Sequence, residues 1–553
     1  MSDTGVERPR GRTVPQRVFA ETPPNADGLG IATGAGAGER VDILFVNPPA
    51  PDRGIWIRSQ HRVGRRSREG MIWPQADLAQ LAALFPDKRV AIIDAIPSRM
   101  TWAAFAEELK RLQPTFYLTQ VTAPTLENDM YGAFLARSGG ATTIAMGTHV
   151  TPMPLSTLEA YPALDYCLVG EPELTLRELV DALCPDEADH LRAVAPDTGA
   201  ALEGLLVASD AGWRPVTQRG TSTEERLATI PGLAWRRNGQ PALNAPRALI
   251  EDLDALPLPR HDLLPLARYR APLVSGAYSF VVTSRGCPGD CRFCIKHVSY
   301  GRSVRFRSPE NVLREIEMLA GLGIRSIHMY ADLFTVNRDH VLGICQGLLD
   351  RGLKIRWTCN SRVDFVDPEM LDLMKRSGCW MISWGIESGD VEMLRRMHKG
   401  ITLEGVRQAL EWSRRAHIRN WGYFIIGLPG ESERSIRHTI DFAKTLPLDL
   451  ALFHIAAPHP GTPFFYEVVD QGWFRPGTRW ERVDMDRSTV LDYPELSAED
   501  LEAWARRALR EWALRPGPVC TYGRMLATSP SLWRAALAIG LESLGWLRGA
   551  GSR

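Results

Sequence analysis

Cysteine is scarce in this chain, with nine in 553 residues. That density is too low for a disulfide scaffold and points to a reducing compartment. Net charge is also missing: Lys+Arg and Asp+Glu both number 65. No bulk field draws such a protein to a polyanion, so nucleic acid is not an expected partner. No run of about 18 uninterrupted apolar residues occurs, which argues against a transmembrane span. The N-terminus lacks a basic-then-apolar signal pattern, and the expected location is cytoplasmic. What is present is the composition of a globular protein, 44% hydrophobic and 24% charged. At roughly 150 residues per domain, the length suggests about three or four units.

Residues 1–39 are rich in Gly, Ala, Pro, Thr and Arg without periodicity. They are expected to form a disordered tail, since they cannot bury enough apolar area to offset their ordering entropy. From Val41 onward, strand-length apolar runs alternate with amphipathic stretches: Val41–Val46, Val90–Asp94, Phe116–Val121, Thr143–Met146 and Tyr166–Val169. This alternation predicts a doubly wound parallel sheet over residues 40–190, with ligands beyond the carboxyl ends of its strands. Polar or Gly/Pro turns stand at those ends, among them Asn47-Pro48-Pro49, Thr122-Ala123-Pro124-Thr125, Gly147-Thr148-His149 and Gly170-Glu171-Pro172-Glu173. Residues 191–271 are weakly patterned and read as a linker and irregular region. The alternation resumes over 272–480 with six strand candidates, as in a partial (β/α)6 barrel whose chemistry belongs at its carboxyl end. Residues 481–553 read as a helical C-terminal region. The fold class expected is therefore α/β.

The sharpest local signal is Cys287-Pro288-Gly289-Asp290-Cys291-Arg292-Phe293-Cys294, in the loop after the first strand of the second unit. Thiolates are the usual iron–sulfur ligands. Three of them on a four-iron cluster leave one iron open to a non-protein ligand. A zinc site is the competing reading, and it needs a fourth ligand that His297 could supply.

Cys-x3-Cys-x2-Cys after the first strand of a partial barrel resembles the radical S-adenosylmethionine superfamily, and the later strand ends fit that likeness. The resemblance implies a [4Fe-4S] cluster on Cys287, Cys291 and Cys294, with S-adenosylmethionine bound around it. Asp332 ends the second strand, where the family holds the amino group of the cofactor's methionine. Asn360 and Arg362 end the third. Glu387 and Ser388 end the fourth, where related enzymes contact ribose and carboxylate. Gly427 ends the fifth, where backbone borders the adenine. An α/β domain ahead of the barrel further resembles the cobalamin-binding subgroup. Asn47, Thr122, Gly147, His149, Gly170 and Glu171 are the implied cobalamin contacts. The Asp-x-His-x-x-Gly signature of an axial cobalt ligand is absent, so His149 is not assigned that role.

Such cofactors imply C–H functionalisation through a 5′-deoxyadenosyl radical. Domain order, the Gly147–Thr151 turn and length look like the anaerobic magnesium-protoporphyrin IX monomethyl ester cyclase group, which implies oxidative cyclisation in a bacteriochlorophyll pathway. The alternative is radical methylation at an sp³ carbon of a lipid, pigment or secondary metabolite. A rearrangement on a hopanoid-type lipid is a third reading. Expected partners are an apolar or porphyrin-like substrate and a flavodoxin- or ferredoxin-type electron donor. Ser497–Leu514 and Ser531–Leu547 read as helices that pack on the barrel, cover the substrate or touch a membrane surface. The arginines from Arg58 to Arg68 read as a solvated loop or as contacts to a phosphate, an amide or a carboxylate.

Overall fold

The computed structural model describes residues 31–33, 40–52, 54–59, 71–184, 222–271, 273–274, 276–484 and 489–528. Two sheets organise them. The first contains β1 (Ile31–Thr33), β2 (Ile43–Asn47), β3 (Val90–Asp94), β4 (Phe116–Gln120), β5 (Thr142–Met146), β6 (Tyr166–Leu168), β7 (Leu233–Arg237) and β8 (Gln240–Leu243), in the spatial order β1-β3-β2-β4-β5-β6-β7-β8. β2 to β6 are parallel. Every residue of β2, β3 and β4 is buried, as expected of strands covered on both faces. The strand order reverses between β2 and β4, which makes their carboxyl ends a topological switch point.

Two expectations need correction here. The tail is not wholly without structure, because Ile31–Thr33 pairs antiparallel with β3. Ile-Ala-Thr is a short β-prone run that finds an open sheet edge. The rest of residues 1–39, like the helix expected at 531–547, lies outside the described residues. The irregular region 191–271 likewise supplies β7 and β8, an antiparallel hairpin that extends the first sheet. Its turn is Asn238-Gly239 with φ of 50° and 78°, the sequence that a two-residue hairpin with positive φ demands.

The second sheet holds β9 (Tyr278–Val282), then, past a short antiparallel ribbon of β10 (Ser284–Arg285) and β11 (Arg305–Phe306), β12 (Ser326–Tyr330), β13 (Arg356–Ser361), β14 (Cys379–Glu387), β15 (Arg419–Ile426) and β16 (Leu450–Ile455). All six long strands are parallel and sequential, and the sheet is open between β9 and β16, which is the expected partial barrel. Its helices start where the sequence pre-organises them: Ser308, Asp367 and Thr462 accept from backbone N–H groups and are each followed by proline at the first helical position. The helix Ala498–Ala513 buries Leu501, Ala505, Ala508 and Trp512 against the barrel, so of the readings for this segment packing holds. No helix among the described residues is long and apolar enough to cross a membrane.

Candidate active site

Loops from the carboxyl ends of both sheets meet. Gly461, after β16, approaches so closely that a Cβ there would stand 2.8 Å from Val298, beyond the cysteine loop, and 3.0 Å from Pro152, beyond β5. Chemistry-bearing residues of the two units therefore share one seam.

On the barrel side, the three thiols stand together in the loop after β10. A Cβ on Gly289 would lie 3.5 Å from Cys287 Sγ and 3.9 Å from Cys291 Sγ. Burial pushes the Cys294 thiol up to about 12, with Lys296 opposing. Among the described residues no group of three or more His, Cys, Asp and Glu side chains converges on a single metal ion. His297, the fourth ligand a zinc site would need, has Nδ1 3.3 Å from the Gly301 carbonyl, a hydrogen bond that leaves the role of Nε2 open. Three thiols around one loop fit a cluster with an open iron.

Asp332 ends β12 beside this loop, as expected. Its carboxylate accepts from Gly286 N at 2.8 Å and pairs with Lys296 Nζ at 3.0 Å. It thus ties down the chain on both sides of the cysteines. Arg362, beyond β13, reaches 4.0 Å from Cys291 Sγ with one guanidinium nitrogen and pairs with Asp364 through the others. Asn360 lies on the barrel wall, half-buried. Glu387 has a left-handed backbone, φ 68°, at an irregularity in the β14–β15 register, and binds buried Lys399 at 2.8 Å. Ser388 and Gly427 are engaged in local hydrogen bonds. The Ser388 hydroxyl is fully buried against Thr439 and accepts from Asp390 N, a local capping arrangement. Gly427 donates its N–H to Glu431 and accepts from Tyr493 Oη at 2.8 Å, with Leu501 filling the space a side chain would need.

On the other side, the switch point is filled by Arg58. This side chain is fully buried; it pairs with Asp129 at 2.6 Å and donates to Asn47 Oδ1 at 3.0 Å. Asn47 in turn donates to Asp94 at 2.8 Å, so it belongs to a buried network and not to an open rim. Of the arginines in this stretch only Arg58 is described, and it is not solvated. Thr122 closes a capping box with Thr125. Gly147, at φ 117°, brings β5 within 2.6 Å of the Val121 carbonyl, measured from a Cβ position that only glycine leaves empty. His149 holds Thr157 at 3.1 Å and stacks on Trp480 with ring centroids 5.6 Å apart. Burial pushes its imidazole down to about 4, so it is neutral at pH 7. Gly170 faces open space. Glu171 does not join this rim: it is ion-paired to Arg285 and Arg305 of the barrel.

Four buried polar atoms at the β2, β4 and β5 ends have no hydrogen-bond partner among the described residues: Arg58 Nη2, Gln120 Oε1, Thr148 Oγ1 and His149 Nδ1. Buried groups of this kind imply a ligand or ordered water, and a large amide-bearing molecule such as a corrin suits them. Gln120 was not singled out in the sequence although it ends β4, and Thr148 entered only as part of the Gly147–His149 turn. Lys296, two residues past Cys294, carried a positional signal. Lys399, twelve residues beyond Glu387, carried none.

The comparisons agree with this architecture. A protein of Pyrococcus horikoshii named as an uncharacterized methyltransferase is 30% identical over 81% of this chain and 89% of its own length. The anaerobic magnesium-protoporphyrin IX monomethyl ester cyclase of Cereibacter sphaeroides is 26% identical over 78% of this chain and 64% of its own. The fold is that of the radical S-adenosylmethionine methyltransferase TsrM from Kitasatospora setae, solved with cobalamin and a [4Fe-4S] cluster: TM-score 0.57, 18% identity and 85% of each chain covered. Residues 281–443, from β9 through the helix after β15, match the Radical SAM superfamily, and with the three thiols set at the mouth of its partial barrel this chain belongs to that superfamily.

Proposed function

We propose that the protein is a cobalamin-dependent radical S-adenosylmethionine enzyme that transfers a methyl group to carbon of a small, largely apolar substrate. The observation that carries this reading is the seam itself, where a Cβ on Gly461 would meet both Val298 and Pro152. One substrate lodged there would be within reach of both cofactor sites. The relatives named as methyltransferases favour methylation over the cyclisation that the sequence suggested first. When bound, the cluster with S-adenosylmethionine would supply one-electron chemistry at an unactivated C–H bond, and cobalamin a methyl carrier.

The chain's own residues supply position and charge. Cys287, Cys291 and Cys294 would hold three irons. Asp332 fixes the loop from Gly286 to Lys296, and Arg362 and Lys399 place positive charge beside the thiolates. Glu387, oriented by Lys399, presents a carboxylate at the end of β14. Gln120, Thr148 and His149 would satisfy the corrin's polar edge.

Oxidative cyclisation is the second reading, favoured by the cyclase likeness over 78% of this chain. Anaerobically reconstituted protein given reductant, methyl-deuterated S-adenosylmethionine, ¹⁸O-water and magnesium-protoporphyrin IX monomethyl ester separates the two, especially if a pigment and lipid extract is added. A deuterated methyl on any product is the expected result. Incorporation of ¹⁸O without deuterium would assign the cyclase, and S-adenosylmethionine left wholly uncleaved would overturn both.

A further inference from the structure

The N-terminal domain reaches the ribbon beside the cysteine loop through two carboxylates, of which only Glu171 touches both of its arginines. Glu171, just past β6, is 3% exposed. Its Oε1 accepts from Arg285 Nη1 at 2.9 Å and its Oε2 from Arg305 Nη1 at 2.8 Å. Ile250 N donates to Oε2 at 2.7 Å. Glu173 takes the other arm of Arg285. Burial alone would raise the Glu171 carboxyl, but the two arginines outweigh it and hold it below its usual range.

The two arginines are register partners. Arg285 of β10 faces Arg305 of β11 across the ribbon that closes the cysteine loop, and Arg285 lies two residues before Cys287. Like charges directly opposite one another destabilise an antiparallel pair, and a ribbon of two residues per strand has no independent stability. Glu171 lies between them, with Glu173 on the outer arm of Arg285, and both carboxylates come from the other domain.

We propose that Glu171 is a positioning residue for the cluster: by neutralising the facing Arg285 and Arg305 it closes the β10–β11 ribbon and so sets the spacing of Cys287, Cys291 and Cys294 from the neighbouring domain. The inference rests on the functional reading only for what the loop binds. The barrel is then not autonomous, since its S-adenosylmethionine site is completed from outside.

The test is Glu171→Gln in the full chain, which keeps shape and removes charge. Hydrogen–deuterium exchange over residues 284–306 of the metal-free protein is expected to accelerate at least tenfold, with the central strands β2 and β4 unchanged. After anaerobic reconstitution, S-adenosylmethionine affinity is expected to fall about tenfold, and its perturbation of the reduced cluster's EPR signal to weaken. Glu171→Asp should recover part of both. If exchange over 284–306 and S-adenosylmethionine affinity both match wild type, whatever happens to Tm, the inference is overturned. The double variant E171Q/R305M removes the facing charge as well and serves also if E171Q does not fold. Renewed protection of 284–306 supports charge pairing across the ribbon, and continued loss overturns it. A wild-type chain that takes up no iron would sink the functional reading and leave the exchange comparison standing.

Discussion

Asp94 is fully buried at the end of β3, and burial pushes its carboxyl up to about 7 against hydrogen bonds from Tyr269 and Asn47 that pull it down. A carboxyl raised in the folded state binds a proton there that the unfolded chain has already released. Its stabilising contribution is present below about pH 4 and is lost as pH rises towards 7. Asp94→Asn should therefore flatten the dependence of Tm on pH between about 4 and 7, with the variant gaining relative to wild type at the upper end. Parallel melting curves for the two proteins across that window would expose the idea as wrong. Residues of this kind also mark where sequence reading stops. That Glu171 stands at a strand end is legible from the β/α alternation. That its carboxylate meets Arg285, 114 positions along, depends on how two sheets are docked, and no local pattern encodes that.

Gly286 links the β10–β11 ribbon to the cysteine loop with a φ of 88°, and a Cβ there would lie 1.7 Å from the Ser303 carbonyl. Backbone and a left-handed conformation both exclude a side chain. Gly286→Ala should keep all three thiols yet lose iron uptake by at least tenfold on anaerobic reconstitution, read as iron per chain. Normal iron content in that variant would show that the loop tolerates the shift. Elements as a class were the most legible level, because buried strands read as apolar runs and capped helices announce themselves, as at Ser308-Pro309 and Thr462-Pro463. The hairpin of β7 and β8 was missed although Asn238-Gly239 is a strong turn signal. Only Leu233, Ala234 and Trp235 of β7 and no residue of β8 are buried, so the pair offers one short apolar run and not two.

At the scale of the whole molecule, the domain boundary lies later than the change in texture suggests. Tyr269 is fully buried against Asp94 and Gln75, and β7 and β8 complete the sheet beyond β6. A fragment ending at residue 271 should fold and remain monomeric, whereas one ending at residue 190 should aggregate through the bared edge of β6. Size-exclusion chromatography of both fragments checks this, and a monomeric, cooperatively melting shorter fragment would contradict it. The presence of two α/β units was legible from periodicity, while their contact surface was not, since it is built from loops and ion pairs. Another such contact comes from the far end of the chain. Arg479 pairs with Glu127 at 2.6 Å, and Trp480 lies over His149. During synthesis the first domain can form its sheet long before these residues leave the ribosome, but until then His149 has no ring over it. The later-made part of the seam finishes the first-made domain, so the ring stack over His149 forms only once the chain has been made past Trp480.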